Sequence, residues 1–449
     1  MKQTFVLIAA AIIGFSTPVL AQSDDNETEI TVTNAEGKKE IIDLPEAMTN
    51  EYDSLLSVYN NRTYLNINTD CNMPDVNPVY SKEVYKERLA RIPSVIELPY
   101  NDVVQKFIDR YSGRLRRSVS IMLGAQNFYM PTFEEALESY GLPLELKYLP
   151  VIESALNPNA VSHVGATGLW QFMLTTGKQY GLEINSLVDE RRDPVRASYA
   201  AAHYLRDLYK IFGDWNLVIA AYNCGPDNIN KAIHRSNGAT DYWQIYPYLP
   251  KETRGYVPAF IAANYIMNYY CDHNICPMQA DLPGKTDTVV VSRDVHFEQV
   301  AKVLGMEIGQ IQQLNPQYRR NIVNGSTRPM ALRLPATLVG KFIDNEDSIY
   351  AYRPDVLLAK RTEVDVNEDA PSYSRRSSSS SRSKSSSSRK SRSKGKKGKQ
   401  NKGGRNVTIR QGDTLSEIAK RNGTTVKKLK KLNKISGSGI RAGKKLRIK

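Results

Sequence analysis

At 449 residues with 41% hydrophobic content, the chain can bury a sizeable core and form two or three domains, which excludes a protein disordered throughout. Its net charge of +14 is concentrated at one end: residues 374–405 carry +13 and residues 406–449 carry +11, leaving −10 for the rest. That basic tail lacks interleaved aromatics for stacking on bases, so a nucleic-acid binder is excluded as the first reading.

Residues 1–21 have the form of a secretory signal: Lys2, an apolar run from Phe5 to Phe15, and small residues ending in Val19-Leu20-Ala21. The run is too short to span a bilayer and Pro18 interrupts its end. The expected location is therefore exported, periplasmic or cell-envelope associated, with no lipid-attachment cysteine after the signal and no integral span after cleavage. Residues 22–92 form an N-terminal segment expected to be partly disordered, because Gln22 to about Glu40 is polar, acidic and without period. Residues 41–92 carry no functional signal.

From residue 93 to 280 helix-length patterns dominate. In Pro194–Phe212, Ala201, Tyr204, Leu205, Leu208, Ile211 and Phe212 follow the spacing of one helical face. Asp193 can cap this helix, Pro194 suits its first turn and Gly213 can end it. A second helix is expected from about Trp215 to Tyr222, broken at Asn223-Cys224-Gly225-Pro226, with Asp227 capping the next.

Two C-terminal segments repeat each other without a gap. Val291, Phe297, Val300, Ala301, Gly305, Ile308, Ile311, Leu314 and Asn315 correspond to Ile409, Leu415, Ile418, Ala419, Gly423, Val426, Leu429, Leu432 and Asn433. Each unit reads as strand, helix, helix, strand, over residues 286–336 and 406–449. Between them, residues 364–405 are rich in Ser, Arg and Lys and have almost nothing to bury, so they read as a charge-extended linker.

Four cysteines, at 71, 224, 271 and 276, permit three complete pairings among which sequence does not choose. Cys271–Cys276 is the leading expectation, with free buried thiols the alternative. Neither His nor Cys shows metal-ligand spacing, so no metal or cofactor is expected.

Glu153 follows the apolar run Leu149-Pro150-Val151-Ile152 and precedes a Gly-rich turn leading into Leu169-Trp170-Gln171-Phe172-Met173. A lone Glu in a helix is ordinarily a solvated charge. Glycosidic cleavage, however, requires a carboxylic acid kept protonated by an apolar setting, which this context supplies. The stretch from Glu153-Ser154-Ala155-Leu156-Asn157-Pro158 through Ser162 and Gly165-Ala166-Thr167-Gly168 to Met173 resembles the signature of lytic transglycosylases with a lysozyme-like fold. Asp193-Pro194, Ala220-Ala221-Tyr222-Asn223-Cys224-Gly225 and Pro250 to Pro258 agree in order and spacing. With Ile96 to Pro143 upstream, the likeness to D-type membrane-bound lytic transglycosylases covers about half the chain. The two repeats resemble LysM modules, which bind N-acetylglucosamine-containing glycans. The second keeps Gly412-Asp413-Thr414-Leu415 where the first, a degenerate copy, has Asp294-Val295-His296-Phe297.

The resemblance implies a mainly α lysozyme-like catalytic domain at 93–280, then two small βααβ LysM modules joined by the disordered basic linker. It implies non-hydrolytic cleavage of peptidoglycan glycan strands to 1,6-anhydro ends, with Glu153 as acid and then base. Ser162, Gln171, Met173, Tyr222, Asn223 and Glu252 would line the saccharide groove. Met173 and Tyr222 could instead be core. Leu174 replaces the family's usual Pro, and Cys224 a usual small residue. The rivals are a lysozyme-type hydrolase, which needs a second carboxylate not evident in the matched motifs, and a non-catalytic wall-binding protein.

Overall fold

The structure is a computed structural model that describes residues 28–33, 37–49, 65–66, 70–280, 282–366 and parts of 406–448; the signal reading at 1–21 lies outside them. The chain opens with a hairpin, β1 (Glu29–Thr33) paired antiparallel with β2 (Lys39–Asp43). This corrects the reading of disorder for residues 28–33 and 37–40; residues 22–27 and 34–36 lie outside the described ones. Ile30 and Val32 alternate with polar neighbours and are buried together with Ile42, a period-2 pattern short enough to be lost among acidic residues. The hairpin leads into a single 3₁₀ turn, Glu46–Met48.

The helical body follows: α1 (Lys82–Arg91), α2 (Asp102–Ser112), α3 (Arg116–Ser139), α4 (Leu149–Ser154), α5 (Leu174–Gln179), α6 (Pro194–Phe212), α7 (Trp215–Cys224), α8 (Pro226–Arg235), α9 (Tyr242–Ile245) and α10 (Lys251–Tyr269). Helix α10 is buried on nearly every side from Gly255 to Met267 and is the axis on which the others pack. Helix α6 has the expected bounds: the Asp193 carboxylate accepts from Val195 N and Arg196 N, and Gly213 ends it at a left-handed φ of 65°. Its face is narrower than expected, since Ile211 is 58% exposed. Helix α8 begins at Pro226 with Gly225 before it, so Asp227 sits inside the first turn rather than capping it.

The cysteine expectation is overturned. Cys71 bonds Cys276, while Cys271 is exposed and Cys224 half-buried, both free. The cause is a strand pair, β3 (Leu65–Asn66) against β4 (Gln279–Ala280), which brings the segment carrying Cys71 to Cys276. Cys271 instead opens a 3₁₀ turn at the surface.

The first repeat is built as read, with additions. Strand β5 (Thr286–Val291) is followed by β6 (Asp294–His296), α11 (Phe297–Leu304), α12 (Ile308–Leu314), β7 (Ile322–Asn324) and β8 (Met330–Pro335). β5 pairs with β8, and β6 with β7. The core does not stop at 336: α13 (Ala336–Asp344) and α14 (Glu346–Ala351) bury Phe342, Ile349 and Tyr350 in it.

Nor is this module free of the helical body. Leu187 and Val188, between α5 and α6, belong to its core. Asp189 N–H donates to Gln317 O at 2.9 Å and Arg319 N–H to Leu187 O at 2.7 Å. Arg328 pairs with Glu183 and Glu190. The returning chain is tied there too, Ser186 N–H to Val364 O at 2.9 Å and Val364 N–H to Ser186 Oγ at 2.8 Å. The linker therefore cannot begin at 364; its residues from 367 to 405 lie outside the described ones.

The terminal unit pairs β9 (Asn406–Thr408) with β10 (Lys445–Arg447) and carries α15 (Leu415–Arg421) and α16 (Val426–Asn433) over a core of Leu415, Ile418, Leu429 and Leu446. Gly412-Asp413-Thr414 lies outside the described residues. The repeated Leu-Asn now has a physical reason. Asn433 accepts from Arg447 N at 2.7 Å and donates to Arg447 O at 2.8 Å and Leu429 O at 2.9 Å. Asn315 makes the same three bonds to Arg333 N, Arg333 O and Ile311 O. One amide thus satisfies a helix end and fastens the closing strand. Replacing Asn433 by Ala should therefore speed hydrogen exchange at β10 amides by roughly 10- to 100-fold, the loss of about 1–3 kcal/mol. Unchanged exchange at Arg447 would refute this role.

Candidate active site

Glu153 is the penultimate residue of α4, a short helix with Pro150 in its first turn that buries Leu149, Val151 and Ile152. Ala155 and Leu156 take left-handed φ values of 46° and 60°, which end the helix at once. Non-glycine residues in that region cost energy and must be held by their surroundings. The hold is Ser154, fully buried, whose hydroxyl donates to Leu169 O at 2.9 Å. Glu153 is thereby fixed between a packed helix and the turn that follows.

That turn, residues 161–173, is a folded strip in which Thr167 bridges both Val161 and Phe172. Gly168 has φ +89°, and a Cβ there would collide with the Arg191 carbonyl, so the position needs glycine on two counts. Behind the strip the buried Arg191 makes two bonds to Asp189, at 2.8 and 2.9 Å, and donates to Gly165 O and Phe172 O, both at 3.2 Å. Charge pairing and donor satisfaction are both met, as burial of a guanidinium demands. Trp170 is fully buried with its ring N–H on Ser198 Oγ at 2.9 Å.

All the residues expected to line the groove meet in one cleft of about 390 Å³: Glu153, Ser162, Gln171, Met173, Tyr222, Asn223 and Glu252. Met173 is 42% exposed there, so it is surface and not core. Tyr222 is half-buried, with its hydroxyl on Trp170 O at 2.7 Å. Ser162 Oγ accepts from Ala166 N at 3.0 Å, which orients its own turn. Gln171 is held by its amide on Gly168 O at 2.7 Å, and Asn223 by Thr253 Oγ1 at 2.8 Å.

The carboxyl of Glu153 is closed in on all sides but the cleft, and this burial pushes its pKa up to about 8. The Tyr256 hydroxyl donates to Glu153 Oε1 and opposes the rise, while the charges of Glu252 and Glu46 add to it. Burial, then the facing Glu153, holds the Tyr256 phenol far above its usual range. Glu153 is therefore a protonated acid at neutrality with a phenol ready to stabilise the anion it leaves. Cys224 is also in the cleft, but burial raises its thiol to about 11, so it is no nucleophile.

Four of these groups escaped the sequence. Tyr256 stands inside a matched motif, yet nothing in its spacing marks it as Glu153's partner. Arg191 and Asp189 carried no signal beyond two charges beside the Asp193 cap. Glu46 lies more than a hundred residues from Glu153. It adds a carboxylate to the cleft beside Glu252, which was expected there. A larger cavity of about 610 Å³ lies elsewhere, but Arg333 is its only charged lining residue, which leaves it without an acid–base pair. Among the described residues no group of three or more His, Cys, Asp and Glu is placed to hold a metal ion.

The geometry can be set beside known proteins. Residues 130–245 match the transglycosylase SLT domain, residues 285–351 the LysM-like domain of the lytic transglycosylase MltD, and residues 407–449 the LysM domain. The chain is 28% identical over 355 residues to membrane-bound lytic murein transglycosylase D of Escherichia coli (strain K12), covering 78% of this chain and 70% of that protein. It is 39% identical over 98 residues to a putative tributyltin chloride resistance protein of Alteromonas sp. (strain M-1), which covers 22% of this chain and 47% of that one. Among solved structures, the 70 kDa soluble lytic transglycosylase of Escherichia coli aligns at 29% identity with a TM-score of 0.29, over 34% of this chain and 26% of that chain. The chain thus carries a lytic transglycosylase SLT domain, followed by the LysM-like domain of the D-type enzymes and a terminal LysM domain.

Proposed function

We propose that this protein cleaves the β-1,4 bond between N-acetylmuramic acid and N-acetylglucosamine in peptidoglycan without consuming water, and that Glu153 performs both proton transfers. The observation that carries the assignment is a carboxylic acid kept protonated near neutrality by burial, yet open to a cleft. In the first step Glu153 gives its proton to the departing glycosidic oxygen while the substrate's own N-acetyl oxygen supports the anomeric carbon. The resulting carboxylate is steadied by the Tyr256 hydroxyl. It then takes the proton of the sugar's 6-hydroxyl, whose oxygen closes onto the anomeric carbon as a 1,6-anhydro ring and releases the acetamido group. Glu153 ends protonated, ready for another turnover.

Ser162, Gln171, Asn223 and Glu252 supply polar contacts to sugar and acetamido groups in this reading, and Met173 and Tyr222 supply apolar surface to ring faces. The LysM domain adds wall binding. The setting is the cell envelope; among the described residues no helix is long and apolar enough to cross a membrane.

Glu153→Gln should lower muropeptide release from purified sacculi by orders of magnitude, while wild-type products should be one water lighter than hydrolytic ones. Active Glu153→Gln would remove the assignment, and reducing ends as the main product would favour hydrolysis. The same substitution reads the pKa through stability. A carboxyl raised from its unfolded value of 4.5 to about 8 on folding loses stability as pH rises between those values. Glu153→Gln lacks that loss, so its stability relative to wild type should grow by about 1–4 kcal/mol from pH 4 to pH 8. A pH-independent difference in denaturation midpoints would contradict the raised pKa.

Deleting Ser374–Lys449 should weaken sacculus binding strongly and leave turnover of short soluble glycans nearly unchanged, because a tethered binder raises local substrate concentration without entering the cleft. Salt should remove the share of binding due to exposed basic residues. Equal retention of full-length and truncated protein on sacculi across a salt series would place the anchor elsewhere.

A further inference from the structure

Residues 41–92 gave no functional signal, yet Pro45 and Glu46 line the same cleft as Glu153. Their place is fixed from behind. Met48 is fully buried, and its carbonyl accepts Nε and Nη2 of the buried Arg110 at 3.1 and 2.9 Å. Thr49 closes the 3₁₀ turn, donating N–H and O–H to Glu46 O at 3.1 and 2.8 Å. Upstream, Arg254 of α10 pairs with Glu40 at 3.2 Å. Gly255 lets β2 lie against the same helix, since a Cβ there would stand 2.6 Å from Asp43 O. The turn bearing Glu46 is therefore seated on α2 and on α10, the helix that supplies Glu252 and Tyr256.

From this seat the Glu46 carboxylate reaches the Ser162–Gly165 turn. Oε1 accepts the His163 backbone N–H at 3.2 Å, and Oε2 stands 3.1 Å from His163 Nδ1. The ring contact is weak, because the His163 side chain is 79% exposed and solvent screens such pairs. The backbone bond, also at an exposed position, does not depend on the ring: it ties the residue next to Ser162 whatever the ring's protonation.

We propose that Glu46 is a positioning residue of this active site, holding the Ser162 turn across the cleft and setting a fixed negative charge toward Glu153. It lies outside residues 130–245, the stretch matched by the transglycosylase domain, so the N-terminal segment completes a site that the domain match does not. The inference rests on reading Glu153 as the proton donor. The groups that face Glu153 are Tyr256 and Glu252 from α10, Tyr222 from α7 and Glu46 from the 3₁₀ turn, with His163 facing Glu46. Tyr256 favours the carboxylate; the two carboxylates disfavour it. Removing the Glu46 charge must therefore let Glu153 ionise at lower pH.

The test measures kcat and KM on short soluble glycans across pH for the full-length wild type, Glu46→Gln, Glu46→Asp and Glu153→Gln, with melting temperature as the check on folding. Glu46→Gln should move the basic limb of kcat/KM to lower pH, because the charge is lost, while KM stays near wild type, because the amide oxygen can still accept the His163 N–H. Glu46→Asp should keep the limb, because the charge remains, but raise KM several-fold, because the shorter side chain no longer reaches the His163 N–H. Should Glu46→Gln fail to fold, Glu46→Asp decides alone: a raised KM with an unmoved limb supports the role, and wild-type KM overturns it. A wild-type limb in a folded Glu46→Gln would likewise overturn it, with inactive Glu153→Gln showing that the acid assignment survives. Active Glu153→Gln would instead remove the underlying reading.

Discussion

The chemistry proposed for this chain depends on keeping one carboxyl group out of water. Glu153 sits at the exit of a six-residue helix, closed in by packed side chains, with the Tyr256 hydroxyl on one oxygen and the cleft as its opening. Desolvation penalises the charged form, and two further carboxylates in the cleft add to the penalty. The phenol works the other way, lowering the cost of the anion that catalysis must pass through. The balance favours an acid that is protonated at neutrality but can still give up and regain its proton, as the dual role proposed for Glu153 requires.

Holding that carboxyl in place involves residues far from it. Ser154 ties the helix exit to Leu169, Gly168 lets the strip approach Arg191, and Arg191 holds the strip at Gly165 and Phe172. Asp189, which pairs with Arg191, is itself bonded through its backbone to Gln317 in the LysM-like module, and Glu190 beside it takes Arg328. The first repeat is thus a buttress for the wall of the active site, joined to it by a shared core at Leu187 and Val188. In the 3₁₀ turn after the hairpin, Glu46 bonds the His163 backbone of the same strip. A module whose sequence resembles a glycan binder has become part of the frame, and the terminal module is the one left in a unit of its own.

Much of this was legible because it is local. Asp193, Pro194 and Gly213 delimited a helix correctly since caps act within a few residues, and the Leu-Asn repeat marked two folds whose closing bonds run through that Asn. The groove residues, from three separate motifs, meet in one cleft; they were legible because those motifs agree with a known signature in order and spacing. What escaped was long-range: the Cys71–Cys276 bond set by a strand pair, Glu46 reaching the cleft from the other end of the chain, and Tyr256 meeting Glu153 across two helices. Ile211 failed for another reason. Periodicity names a face but not its width, and the last turn of α6 runs past the body it packs on.

The most direct test of this account is to watch the Glu153 carboxyl titrate. Infrared difference spectra of the wild type against Glu153→Gln, recorded across pH, isolate the protonated-carboxyl stretch of this one group. The band should persist through neutrality and vanish with a midpoint near 8. A midpoint near the ordinary glutamate value of about 4.3 would contradict the claim that burial keeps the acid protonated.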